Sequence, residues 1–244
     1  MKAVVPLILS LFALGCADGP AQSNARPSPC REQRFEGSGF IVCTPASTAK
    51  LKLVAAGPGE PAKRAFRDLG LDEATVAFAM NAGMYDEAGR PIGLTIVEGR
   101  QVHKISLRAG GGNFGMKPNG VFLVRRDRRA AIVKSETFRP AKDIRFATQS
   151  GPMLVIAGKL HPAFKPDGDS IYIRNGVGIA PGGKPVFVIS TDPVSFGRMA
   201  RFFRDRLKTK DALYFDGSVS SLWDPANGRM DVVTDLGPII VSTR

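Results

Sequence analysis

The chain has 244 residues, 43% of them hydrophobic and 23% charged. That balance suits one sizeable globular domain and excludes a disordered polymer. Its net charge of +12 favours anionic partners. A basic intracellular domain would point to nucleic acid, but the chain opens with an export leader. Nucleic acid is therefore excluded as the working partner, and phosphate-bearing glycans or anionic lipid headgroups are expected instead.

In the leader, Lys2 supplies a positive start and Ala3 to Leu14 an apolar run too short to span a bilayer. Small residues then precede Cys16. Residues 1–15 read as a signal peptide of lipoprotein type, with Cys16 acylated and holding the mature protein to a membrane. An ordinary signal peptide with an incidental Cys16 is the alternative. Of the three cysteines, lipidation of Cys16 leaves Cys30 and Cys43 to pair in an oxidising compartment, rather than remain free thiols. Residues 16–29, rich in Pro, Ala, Ser and Asn, read as a flexible tether. The domain is expected over 30–244.

Along the domain, Gly39 to Cys43 and Lys50 to Ala55 read as short strands. Pro61 to Leu69 reads as a helix with Ala65, Phe66 and Leu69 on one face and Gly70 as its stop. Thr75 to Met80 is an apolar strand. Ile92 to Glu98 and Val102 to Leu107 flank Gly99-Arg100 as a hairpin, and Gly120 to Arg125 with Ala131 to Lys134 form a second. Met153 to Ala157, Ser170 to Arg174, Val177 to Ala180 and Val186 to Ser190 add strands, the last two joined through Gly182-Gly183. Pro193 to Lys208 is the one long helix expected, with Met199, Ala200, Phe203 and Leu207 in a stripe, Pro193 in the first turn and Asp192 as cap. Ala212 to Phe215 and a weak Val232 to Val241 complete the set. No βαβ alternation is present, so the expected class is α+β: a β-rich single domain of short strands and hairpins with one or two packed helices.

Five polar, Gly-rich segments interrupt these strands. Asn81 to Leu94 begins with an Asn straight off a buried strand, whose amide both donates and accepts. Gly110 to Phe122 carries three glycines whose backbone amides, near Gly111 and Gly112, suit a phosphate. It lacks the Lys-Ser/Thr ending of a nucleotide P-loop. Ala147 to Val155 places Gln149, Ser150 and Gly151 just before a strand. Arg174 to Ile179 opens with an Arg able to grip a phosphate bidentately. Leu213 to Pro225 puts Asp216 and Gly217 where an apolar strand ends in a turn. Each also has a structural reading, as turn former, surface ion pair or cap.

His103 and His161 are far apart and lie in no metal-spaced pair, and no GxSxG elbow is present. No cofactor is expected. A divalent cation held by scattered oxygens such as Asp216 stays open, because spacing does not reveal such a site.

The runs NAGMY, PIGL, GNFGMKPNGVF, ATQSGPMLV, RNGVGI and ALYFDGSVSSLW, in this order, resemble the phosphodiester glycosidase family, its small exported bacterial branch more closely than its animal one. The resemblance covers nearly the whole domain. It implies hydrolysis of a sugar-1-phosphate diester at the anomeric carbon, in a pocket that includes Asn81, Ser150, Gly151, Arg174, Asn175, Asp216 and Gly217. The animal branch shows two glycines after the Asp, whereas here Gly217 is followed by Ser218, so animal substrate specificity does not carry over. Chemistry assigns the roles. Arg174 is expected to clamp the phosphate, with the amides near Gly111-Gly112 or Gly151 as weaker candidates. Asp216 is expected as the catalytic carboxylate, Asn81 and Asn175 on sugar hydroxyls, and Asp192 as a second carboxylate or a helix cap. The alternative function is a non-catalytic envelope lipoprotein that binds a phosphate-bearing glycan or anionic polymer. Oligomeric state is not legible.

Overall fold

The computed structural model describes residues 1, 27–108, 110–232 and 234–244. Cys16, expected to carry a lipid, and most of the expected leader and tether lie outside the described residues. Ser28 is already buried, and its hydroxyl donates to both oxygens of Asp224 at 2.9 and 2.8 Å, so ordered contacts begin two residues before the expected domain start.

The strands in chain order are β1 (Cys30–Phe35), β2 (Ser38–Cys43), β3 (Leu51–Val54), β4 (Val76–Asn81), β5 (Thr95–Val97), β6 (Arg100–His103), β7 (Gly120–Arg125) and β8 (Ala130–Lys134). They continue with β9 (Ile144–Ser150), β10 (Met153–Ile156), β11 (Lys159–Leu160), β12 (Asn175–Ile179), β13 (Pro185–Ser190), β14 (Ala212–Tyr214), β15 (Leu222–Asp224), β16 (Arg229–Met230) and β17 (Ile239–Thr243). They form three antiparallel sheets, ordered β1-β2-β13-β12-β14-β10-β11, β16-β15-β4-β17-β3 and β6-β5-β9-β7-β8. The class is α+β, as expected. Cys30 and Cys43 face each other at the first rung of the β1–β2 ladder and form a disulfide.

The three sheets meet around one core. Ile41, Leu53, Phe78, Met80, Phe122, Phe146, Phe187 and Leu213 bring a face of each sheet into contact. The other face of the seven-stranded sheet is covered by the helix. Phe40, Val42, Val188 and Tyr214 pack there against Met199, Phe202 and Phe203. This explains why β2 and β13 read as unbroken apolar runs: both of their faces are buried. The hairpin at Gly99 forms with Glu98 and Gly99 at φ 49° and 79°, the left-handed pair that a two-residue hairpin turn requires.

Four expectations are corrected. The Pro61–Leu69 helix shrinks to a 3-10 turn over Phe66–Leu69. Its upstream backbone is engaged elsewhere: the Arg64 and Ala65 amides both donate to the Asp68 carboxylate, and the Arg64 carbonyl accepts from Leu236. The long helix starts at Phe196, not Pro193. Its cap is Ser195, whose hydroxyl accepts from the Arg198 amide at 3.1 Å; Asp192 instead accepts from the Gly39 amide at 2.7 Å. Past Arg201 the helix widens into a π turn over Phe202–Arg206. Ser170 to Arg174 is not a strand but a single bridge, Tyr172 to Val194. Gln149 and Ser150 lie just before a strand, β10, as expected, and they also end a strand of their own, β9, in the middle of the third sheet. The strands β1, β9, β11, β15 and β16 are additions to the expected set.

Candidate active site

The site is built where β14 ends. Ala212 to Phe215 are buried, and the chain then turns out at Asp216, which is half-buried, with Gly217 opening a 3-10 turn behind it. The Asp216 amide donates to the Ala82 carbonyl at 3.1 Å, which fastens the turn to the loop leaving β4. Burial pushes the Asp216 carboxyl above its ordinary range, and the Ser218 amide, which donates to it at 3.3 Å, partly offsets this.

Two phenols flank this carboxylate. Burial raises Tyr85 to about 12, with the Asp216 charge adding to the shift; its hydroxyl donates to the Asp235 carbonyl. Burial likewise raises Tyr214 to about 12, against the pull of the Arg174 charge and with the Asp216 charge adding to it. The Tyr214 hydroxyl rests directly on Gly217. A β-carbon there would stand 1.5 Å from it, so position 217 admits only glycine.

Arg174 is 1% exposed. Its Nε donates to the Val194 carbonyl at 2.8 Å, Nη1 to the Tyr214 hydroxyl at 3.1 Å, and Nη2 to the Ser170 carbonyl and hydroxyl at 2.7 and 2.9 Å. The Phe196 ring lies 3.6 Å beneath the guanidinium, a cation–π contact. Among the described residues no carboxylate pairs with it. Burial lowers its proton affinity, and Tyr214 counteracts that. Four of its five N–H groups are therefore spent within the protein. The expectation of a bidentate phosphate clamp is corrected: the head is turned inward and reaches the site through Tyr214.

Asn81 and Asn175 are corrected in the same way. Both are buried. Asn175 Nδ2 donates to the Asn81 carbonyl and Oδ1 at 3.0 and 2.7 Å, and Asn81 Nδ2 donates to the Asp216 carbonyl at 2.8 Å. Asn81 Oδ1 also accepts from the Ser221 amide, and Asn175 Oδ1 from the Ser220 hydroxyl. Both Asn175 N–H groups and one of the two on Asn81 are spent within the protein, and both side chains are buried away from a sugar hydroxyl. They form the brace that holds both ends of the Asp216 turn against β4.

Gln149 braces a second loop: its Oε1 accepts from the Leu94 and Ser106 amides and its Nε2 donates to the Ser106 carbonyl, which locks residues 94–106 onto β9. Ser150 is fully buried, and its hydroxyl, like that of Thr148, has no partner among the described residues. Gly151 is pressed against Asn119, where a β-carbon would meet the Asn119 β-carbon at 2.4 Å. Gly111 and Gly112 are exposed at the start of a four-residue helix, Gly112–Gly115. Among the described residues no hydrogen bond links them to the Asp216 turn.

Beside the turn lies a cleft of about 550 Å³, walled by Tyr172, Ile173, Thr191, Ser218, Arg229 and Asp231 and floored by Gly217, Ser190 and Ser220. Sequence reasoning missed Tyr85, Tyr172, Tyr214 and the Arg229–Asp231 pair. The alternation of Arg229 and Asp231 about one intervening residue is the one local signal that places two charges on the same side of a strand. Neither histidine belongs to the site. His161 is buried against Phe164, bonded through Nε2 to the Lys117 carbonyl, and held below its ordinary proton affinity by burial. Among the described residues, no group of three or more His, Cys, Asp or Glu is assembled to hold a metal.

Comparison with known proteins places this geometry. The protein YigE of Escherichia coli (strain K12) is 41% identical over 148 residues, 61% of this chain and 58% of YigE, so the chain spans less than two thirds of that relative. The catalytic domain of zebrafish N-acetylglucosamine-1-phosphodiester alpha-N-acetylglucosaminidase, auto-inhibited by its pro-peptide, superposes with a TM-score of 0.60 at 13% identity, covering 88% of this chain and 81% of that one. A Synechocystis protein superposes at 0.53 and 14% identity, covering 88% and 61%. These two likenesses are of fold. The phosphodiester glycosidase family model matches residues 74–230, a span that holds Asn81, Ser150, Gly151, Arg174, Asn175, Asp216 and Gly217. The chain belongs to the phosphodiester glycosidase family.

Proposed function

We propose that the protein hydrolyses a sugar-1-phosphate diester at the anomeric carbon, with Asp216 as the catalytic carboxylate. The observation that carries this reading is the setting of Asp216. It is the half-buried carboxylate at the end of a strand, its proton affinity raised by burial, on a turn braced by Asn81 and Asn175. A carboxylate raised toward neutrality suits proton transfer.

In the reaction, water adds to the anomeric carbon and gives its proton to Asp216. The bond from that carbon to the phosphate oxygen breaks, and its electron pair leaves with the phosphate. The products are a free sugar and a phosphomonoester. Phosphate is a good leaving group, so the demand falls on the attacking side and on charge stabilisation at the carbon. Arg174 acts as a positioning residue: its charge polarises the Tyr214 hydroxyl, which supports Gly217 and the turn. Export to an oxidising compartment is supported by the Cys30–Cys43 disulfide. Attachment to a membrane through a lipid on Cys16 completes the proposal, with a phosphate-bearing glycan as substrate.

The test is incubation with a panel of sugar-1-phosphate diesters, beside Asp216→Asn. Free reducing sugar is expected from the wild type, with a fall of at least about 100-fold in the variant. Release of a sugar phosphate would mean that the phosphorus–oxygen bond is cut and would overturn the glycosidase reading. Full activity in a folded Asp216→Asn protein would remove Asp216 from the chemistry. Saturable binding without turnover of any diester would favour the binding-protein alternative.

A further inference from the structure

The cleft beside Gly217 has a chemistry of its own. Tyr172 is 59% exposed and Ile173 is half-buried next to it, which makes one wall apolar and partly aromatic although the cleft faces solvent. Tyr172 is held by backbone bonds to Val194 in both directions, at 3.3 and 2.8 Å, so the ring stands on a fixed base. The opposite wall is the Arg229–Asp231 pair. Arg229 Nε and Nη2 donate to the two Asp231 oxygens at 3.0 and 2.8 Å, and the Leu222 amide adds a third bond to Asp231 at 2.9 Å.

That pair has two consequences. Its charges cancel, so this wall offers no free cation for a phosphate dianion. It also leaves Arg229 Nη1 as a donor and the remaining Asp231 lone pairs as acceptors. Sugar hydroxyls take both a donor and an acceptor. Thr191 and Ser218 also line the cleft. A ring with one apolar face and a polar edge matches an aromatic wall opposed by a polar fork, and about 550 Å³ accommodates such a ring.

We infer that this cleft is a saccharide subsite, with the sugar's apolar face on Tyr172 and its hydroxyl edge on the Arg229–Asp231 pair, and that the anomeric carbon points toward the Asp216 turn. This rests on the glycosidase reading for its link to catalysis, but sugar binding is separable from turnover. The cleft and the Asp216 turn share Ser218, which lines the cleft and whose amide donates to the Asp216 carboxylate. A sugar held there presents its ring to the carboxylate, while the Arg229–Asp231 wall, its charges paired, offers the phosphate no free cation.

The experiment is saturation-transfer NMR on the full chain with methyl α-glucoside, methyl α-galactoside and methyl N-acetyl-α-glucosaminide, in the wild type, Tyr172→Ala and Tyr172→Phe. Thermal melting checks that each variant is folded. At least one glycoside is expected to saturate the wild type. Its affinity should fall about tenfold in Tyr172→Ala, as expected for loss of a stacking face, and be retained in Tyr172→Phe. Inorganic phosphate should not compete. In turnover of a cleaved diester, Tyr172→Ala should raise KM about tenfold. No saturation by any glycoside, equal affinity in wild type and Tyr172→Ala, or competition by phosphate would overturn the subsite. Cleavage of diesters with KM indifferent to Tyr172→Ala would overturn it while leaving the glycosidase reading intact. Tyr172-dependent glycoside binding with no diester cleaved would uphold the subsite and sink that reading instead.

Discussion

Removing a single oxygen tests the central link of the site. In Tyr214→Phe the ring and its packing against Phe196 and Phe202 remain, but Arg174 Nη1 loses its acceptor at 3.1 Å. The guanidinium is 1% exposed, so water does not replace the lost partner. A hydrogen bond to a charged group contributes about 1.5–3 kcal/mol, and a buried donor left unpaired costs at the upper end of that range. The expected loss is therefore about 2 kcal/mol, or about 4–8 °C in Tm for a domain of this size. Urea denaturation followed by far-UV circular dichroism, with calorimetry for Tm, measures it. Tyr85→Phe is the control: its hydroxyl also makes one hydrogen bond, but to a backbone carbonyl at an exposed position, and about 1 kcal/mol or less is expected. If Tyr214→Phe falls within about 0.5 kcal/mol of wild type, Arg174 is not relying on Tyr214, and its proposed action on the Asp216 turn fails with it.

Asp216→Asn carries a stability signature of opposite sign. Because burial raises the folded-state proton affinity of Asp216 above its unfolded value, the folded state binds more protons in the window just above the ordinary carboxylate range, and stability declines there as pH rises. The Asn variant should accordingly melt higher than wild type at neutral pH, with the gain vanishing as pH falls below the ordinary carboxylate range; a lower Tm for the variant at neutral pH would refute the buried-carboxylate account. Asn81→Ala and Asn175→Ala share one network, so each should cost about 2–3 kcal/mol and the pair markedly less than the sum; additive losses in a double-mutant cycle would mean the two act separately. Replacing Cys30 and Cys43 together by Ser opens a loop with a sequence separation of 13 and should cost about 2–3 kcal/mol. A change below about 0.5 kcal/mol in urea titrations would show that the β1–β2 ladder closes that loop unaided.

The sequence alone was enough for features whose cause is local. The hairpin at Gly99 was legible from its turn residue, although the turn falls on Glu98-Gly99 rather than the expected Gly99-Arg100. The stripe Met199, Ala200, Phe203 and Leu207 lies on the buried or partly buried face of the helix, because helical periodicity decides which residues share a side. Asp216 was legible as the residue leaving an apolar strand, and Cys30 with Cys43 as the pair left over once Cys16 is set aside. The polar residues were legible as special but not for what they do. Asn175 finds Asn81 at a separation of 94 residues, and Ser221 finds it at 140; no local pattern distinguishes such a brace from a ligand contact. Arg174 reads as a phosphate clamp until Tyr214, 40 residues on, claims a donor and the Phe196 ring takes its face. Asp192 loses the helix cap because the Gly39 amide, 153 residues away in sequence, holds its carboxylate, while Ser195 sits where the helix begins. Tyr172, on an isolated bridge to Val194, and the Arg229–Asp231 pair beside β15 are far apart in sequence, and only tertiary packing makes them one cleft. What sequence determines is the periodicity and turn chemistry of each segment; which polar groups are spent on one another, and which remain to meet a substrate, is decided when distant strands pair and burial forces every polar atom to find a partner.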